Sequence, residues 1–131
     1  MALPIVPRPL RYAAVATLAL VVLAASVTEP GESVPRTLFG VGFTVYLHLL
    51  AYASLAAVSG YALLSADRRI LVVSATLATL YGASIELLQG TIPYRTMAAS
   101  DAAVNAVGAV LGAAIWRFLA PPVGDGAEDD G

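Results

Sequence analysis

Four apolar stretches, each 18 residues or longer, divide the chain and confine almost every charged residue to the gaps between them. The first runs from about Leu10 to Val27, with Arg8 and Arg11 at its mouth and Glu29, Pro30, Gly31 and Glu32 at its exit. The second runs from about Leu38 to Leu64 and ends at Asp67, Arg68 and Arg69. The third spans Ile70 to about Leu88, and the fourth about Ala102 to Leu119, stopping at Pro121 and Pro122. Eighteen helical residues at ~1.5 Å each approach the ~30 Å of a bilayer's hydrocarbon core. Backbone groups in hydrocarbon must bond within their own segment, and lengths near ~20 suit helices, since tilted barrel strands need only about ten. The expected fold is all-α: a four-helix transmembrane bundle over residues 10–119, preceded by a short tail (1–9) and followed by an acidic, disordered tail (120–131). The second stretch exceeds the requirement, so its Gly40–Gly42 end lies in the interface or the helix tilts.

Composition narrows the classes further. The chain of 131 residues is 59% apolar and 12% charged, against about a quarter charged in a typical soluble domain. With no cysteine and one histidine, disulfide frameworks, thiolate chemistry and polyhistidine metal sites are excluded, and no metal or other cofactor is expected. No basic tract points to nucleic acid. All seven basic residues are arginine. An N-terminus inside puts Arg8, Arg11, Arg68, Arg69 and Arg117 in the cytoplasm and only Arg36 and Arg95 outside, as the positive-inside rule favours. Both termini are then cytoplasmic, and the protein is expected in the cytoplasmic membrane, multi-pass. The first segment also fits a secretory signal peptide, with a charged start and small residues at Ala24, Ala25 and Ser26; its long apolar run favours a retained helix.

Polar groups within apolar spans are costly and therefore informative. His48 and Tyr52 share a helix face at i,i+4. Tyr81, Glu86 and Gln89 gather near the end of the third segment, Arg95 follows in a short loop, and Ser100, Asp101 and Asn105 open the fourth. Together His48, Tyr52, Glu86, Gln89, Arg95, Asp101 and Asn105 are expected to converge at one depth, in the outer leaflet. Arg95 is the natural ion-pair partner of Glu86 or Asp101, and Ser100 or Asp101 the natural helix cap. Imidazole alone has an ordinary pKa near neutrality, so His48 leads as a proton-transfer candidate, with Glu86 and Asp101 as further acid–base candidates. Plainer readings stand beside these: acids at helix ends facing water, a histidine serving as interhelical hydrogen bonder, Asp101 as a cap alone. Gly108 and Gly112 form a small-xxx-small face that reports close helix packing; Tyr12, Tyr46 and Trp116 read as interfacial or packing aromatics.

The ordered set Tyr81-Gly82-Ala-Ser-Ile-Glu86-Leu-Leu-Gln89, Ile92-Pro93-Tyr-Arg95 and Ser100-Asp101-Ala-Ala-Val-Asn105-Ala-Val-Gly108-Ala-Val-Leu-Gly112 resembles the VanZ-like family, with its YGxxxExxQ helix end, Arg-bearing loop and DxxxNxxGxxxG helix start. Leu47-His48-Leu-Leu-Ala-Tyr52 resembles that family's HxxxY element. The likeness covers roughly residues 38–118. It departs at one place: the Asp-Lys pair that commonly precedes the family's histidine is Thr44 and Val45 here, and the chain has no lysine. If the family's chemistry needs that lysine, this member either lacks the chemistry or recruits Arg36 or Arg95 in its place. The resemblance implies a small polytopic membrane protein without a known cofactor and a link to the cell envelope, since the namesake is tied to teicoplanin resistance.

Three functions follow as expectations. The cluster recognises a polar headgroup, a lipid-linked envelope precursor or a glycopeptide antibiotic, with Arg95 gripping phosphate or carboxylate. Alternatively the protein is a membrane hydrolase or transferase using His48, Glu86 and Asp101, or a structural membrane protein. Its partners would be membrane lipid or lipid-linked precursor, with a homo-oligomer possible.

Overall fold

The computed structural model describes residues 3–29, 31–33 and 35–121, so most of the acidic tail lies outside the described residues. The elements are α1 (Arg8–Val27), β1 (Thr37–Leu38), β2 (Val41–Gly42), α2 (Phe43–Leu63), α3 (Arg68–Gln89) and α4 (Ala99–Leu119). All four helices are long and apolar enough to cross a membrane.

Local chemistry sets their ends. Proline in the first turn of α1 gives up only an N–H that has no intrahelical partner. The α2–α3 connection is four residues long and turns through Leu64, which caps α2 in the left-handed region at φ 51°. So short a link forces the two helices to run antiparallel. Pro121 follows the C-terminus of α4, where the helix cannot continue.

The second apolar stretch is not helical from its start. Residues 37–42 fold back as a small antiparallel hairpin, pairing Thr37 with Gly42 and Leu38 with Val41. Its tip, Phe39-Gly40, has φ of 50° and 77°, both positive as a type I′ turn requires. The Tyr46 hydroxyl donates to the Leu38 carbonyl at 3.1 Å and ties the hairpin to α2. The helix left over, 21 residues, spans ~31 Å.

Helix α4 packs most extensively on α2 and next on α3, whereas α1 has the lightest packing. Small residues bring α2 and α4 close: a Cβ on Gly108 would stand 2.8 Å from the Leu49 carbonyl, and one on Gly112 would overlap the Ala53 carbonyl. Gly60 performs the reciprocal service for α4. The Trp116 ring lies directly against it, edge-on to Tyr61, and its indole N–H donates to the Ser65 carbonyl at 2.7 Å. Trp116 is thus a buried packing residue rather than an interfacial one. The outer faces carry exposed Leu20, Leu50, Leu77, Leu80, Val110 and Phe118, an apolar surface of the kind that lipid covers.

Candidate functional site

The end of the bundle where α1 and α3 finish and α2 and α4 begin gathers the histidine and the carboxylates of the spans. His48 lies between one and two turns into α2, Glu86 occupies the last turn of α3, and Asp101 sits in the first turn of α4. One donor atom from each, all within 4.8 Å of one another, defines the centre of the site. His48 Nδ1 is 4.0 Å from Glu86 Oε1, in a pair whose side chains are 20% and 4% exposed.

Asn105, one turn beyond Asp101 on α4, is fully buried. Its Oδ1 lies 2.6 Å from His48 Nδ1. An amide oxygen only accepts, so it is an N–H of the ring that Nδ1 presents to Asn105. Tyr52, one turn below His48, stacks on the imidazole with centroids 6.4 Å apart. Gly82 makes room behind them, because a Cβ there would come within 3.0 Å of both Tyr52 and the Asn105 amide. The imidazole is thus fixed by an amide on one side and an aromatic ring on another.

Electrostatics makes the site unusual. Glu86 Oε2 accepts a long bond of 3.4 Å from the Ala98 N–H, at the N-terminus of α4, where the helix dipole favours negative charge. Glu86 Oε1 is buried and has no hydrogen-bond partner, and neither has Asn105 Nδ2. Among the described residues the one ion-pair contact is His48–Glu86.

Arg95 therefore does not pair with Glu86 or Asp101. Its guanidinium donates to the carbonyls of Ala25 and Thr28 at the C-terminal end of α1. Gln89 likewise turns away, donating to the Ser26 carbonyl at 2.9 Å, and Tyr94 and Tyr81 donate to Val27 and Ala19. For Arg95, Gln89 and Tyr94 the physical reason is that a helix end in a membrane leaves carbonyls without intrahelical donors, and the nearest long polar side chains satisfy them. The Ala19 carbonyl lies inside α1, and Tyr81 adds a bond to a group already paired in the helix. The seven residues thus split. His48, Tyr52, Glu86, Asp101 and Asn105 meet, whereas Gln89 and Arg95 serve α1.

Capping differs from expectation as well. Helix α4 starts at Ala99 with Ala98 at its cap and no side-chain cap bond, so Ser100 and Asp101 fall inside the first turn. This frees the Asp101 carboxylate for the cluster. At the opposite end, Arg11 is buried and donates to the Ala62 carbonyl at 3.0 Å. Sequence reasoning passed over that role, and also that of Gly60; the small residue at Gly60 was the available signal for the second. Arg36, which with Arg95 lies at the cluster end, is exposed ahead of the hairpin.

Chemically, the arrangement offers one imidazole and two carboxylates, with no cysteine. It can accept hydrogen bonds from a polar group, exchange protons, or hold a cation. No curated protein and no solved structure matches this chain. The family model described as VanZ/LLP1 matches residues 24–120, a span that takes in every residue of the cluster and three of the four helices whole. With the ordered polar elements and four apolar helices in place, the chain belongs to the VanZ/LLP1 family as a multi-pass membrane protein.

Proposed function

We propose that the protein recognises the polar headgroup of a membrane lipid or a lipid-linked envelope precursor at the His48–Glu86–Asp101 cluster, in a cell-envelope or antibiotic-resistance role. The observation that carries this reading is the convergence of those three side chains, from three different helices, at one end of an otherwise apolar bundle. A charged side chain costs about 2.5–3.5 kcal/mol at the centre of a membrane helix on insertion scales, less toward the ends, and Glu86 is nonetheless buried there. Helix packing alone gives no return on that cost, since small residues already bring α2 and α4 together.

The excess of arginine at the opposite end, Arg8, Arg11, Arg68, Arg69 and Arg117, supports an arrangement with that end cytoplasmic and the cluster in the outer leaflet. His48 is partly open while Glu86 is not, so a ligand approaches along the imidazole. Arg95 is engaged by α1, and recognition falls to acceptors: hydroxyl and amine groups of the headgroup fit Glu86 and Asp101. Glycopeptides expose similar groups.

A second reading, acid–base catalysis on a lipid-linked substrate, draws on one observation: the amide of Asn105 orients His48 at 2.6 Å, as a general base requires. Both readings face the same test. Native mass spectrometry of the protein extracted from membranes counts the lipids it retains, and melting in detergent reports folding. His48→Ala and Asp101→Asn are expected to lose the specifically retained lipid while melting close to the parent. A fall in melting with no change in retained lipid would leave the cluster a structural device. Turnover of an extracted lipid-linked pool would favour catalysis over recognition, and altered glycopeptide susceptibility of expressing cells checks the resistance role.

A further inference from the structure

The cluster poses a problem of charge that its own residues solve only in part: a protonated His48 would balance one carboxylate and leave the other without a counter-charge. Two carboxylates, Glu86 and Asp101, share a volume whose donor atoms lie within 4.8 Å of one another. Two negative charges that close, with one of them buried, repel strongly and need a positive partner. The guanidinium that could supply it is committed to the carbonyls of Ala25 and Thr28. The chain has no lysine, and the N-terminus of α4 supplies only a partial charge. Meanwhile Glu86 Oε1 is buried, without a partner, on the side of the carboxylate that faces His48.

We infer that His48, Glu86 and Asp101 bind a divalent transition-metal ion. This departs from the expectation, drawn from the single histidine, that no metal would be held. The donor set is one imidazole nitrogen and two carboxylate oxygens, a combination suited to zinc, manganese or iron(II). Bonds of ~2.0–2.2 Å put two ligands at most about 4.4 Å apart. At tetrahedral angles the separation is about 3.3–3.6 Å, so the spread of up to 4.8 Å closes on binding by side-chain rotations of roughly an ångström. Asn105 accepts the N–H at Nδ1, which leaves Nε2 as the nitrogen for the metal; a hydrogen bond of this kind behind the ring fixes tautomer and ring plane in metal-binding histidines. The ion neutralises both carboxylates and satisfies the orphaned Oε1. Three protein ligands leave coordination positions open, and the His48 side chain, 20% exposed, keeps the site partly accessible.

This inference names a ligand for the site under Proposed function, and it alters what that site takes. With the ion bound, the pocket is no longer acidic, and an anionic headgroup oxygen, phosphate or carboxylate, can complete the coordination. Without it, the two carboxylates repel such a group. The headgroup reading can hold without the metal, and the metal without the headgroup, so the two are measured separately.

The test uses the whole protein in detergent, stripped with a chelator and titrated with Zn²⁺ by calorimetry, and with Co²⁺ by visible absorption. The expected result is one equivalent of Zn²⁺ per chain and a Co²⁺ ligand-field band. Both should be lost in His48→Ala and weakened at least tenfold in Asp101→Asn and Glu86→Gln. Asn105→Ala should weaken binding ~10–100-fold, as removal of a second-shell partner does. Circular dichroism of each variant establishes that it is folded. If Glu86→Gln fails to fold, the more exposed Asp101→Asn decides. Absence of stoichiometric binding in the parent, or undiminished binding in folded His48→Ala and Asp101→Asn variants, overturns the inference. Lipid retention is followed with and without Zn²⁺. Retention that is indifferent to zinc in a protein that binds none refutes the metal and leaves the headgroup reading standing. Zinc binding with no specific lipid does the reverse.

Discussion

Gly112 has no space for a side chain, because a Cβ would overlap the Ala53 carbonyl of α2; Gly108 is tight against Leu49 but less so. Neither backbone can yield without parting two helices. Gly112→Ala is expected to destabilise the bundle by about 1–3 kcal/mol, the usual cost of overpacking, and Gly108→Ala by less, as read by melting in detergent. The ranking is the sharper part of the expectation. At this scale the sequence disclosed much: the i,i+3 and i,i+4 spacings put His48 with Tyr52, and Asp101 with Asn105, on common faces. It could not disclose that Asn105 and not Arg95 would be nearest to His48. Which backbone carbonyls a long side chain finds depends on where helix ends stand in space, and spacing within one segment carries no such information.

The hairpin ahead of α2 carries an unusual local strain. Phe39 occupies the left-handed region at φ 50° while being 92% exposed. That conformation costs a residue with a Cβ about 1–2 kcal/mol, and asparagine less. Phe39→Asn is therefore expected to raise the melting temperature in detergent by a modest margin, on the order of 0.5–1 kcal/mol in stability. In bilayers the gain should shrink, since an aromatic ring at the surface is favoured there. Comparing melts in micelles and in lipid discs checks both halves. Helix number and approximate bounds were legible because ~20-residue apolar runs have few other uses. The hairpin was not, since Leu38 and Val41 are as apolar as the helix they precede; only Gly40 and Gly42 marked the excess. Likewise Ser100 and Asp101 are good caps by type, but the helix starts where Ala98 meets the Glu86 carboxylate, a contact between segments.

For the molecule as a whole, two expectations follow. If the cluster faces outward, a single cysteine replacing Phe39, in a chain that has no other, should react with an impermeant maleimide added to intact cells, and one replacing Arg69 should not. The opposite labelling would invert the topology. The other expectation concerns α1, whose only buried residues are Arg11 and Val22 and whose C-terminal end is held by polar side chains from the end of α3 and the loop after it. Arg95→Ala combined with Gln89→Leu is expected to loosen α1 selectively, lowering the crosslinking yield between cysteine pairs on α1 and α3 while pairs on α2 and α4 crosslink as before. Equal losses at both would mean that the bundle unfolds as one unit.

The donors that grip α1 all come from one short run of chain, Tyr81, Gln89, Tyr94 and Arg95. During synthesis the ribosome delivers that run only after two further spans have emerged. Until then the far end of the first span has to be solvated by water and lipid headgroups, while its near end can already dock on α2 through Arg11 and the Ala62 carbonyl. The newborn protein would thus acquire its final seating in a single late event, when the loop after α3 swings across and latches a helix that has been waiting in the bilayer.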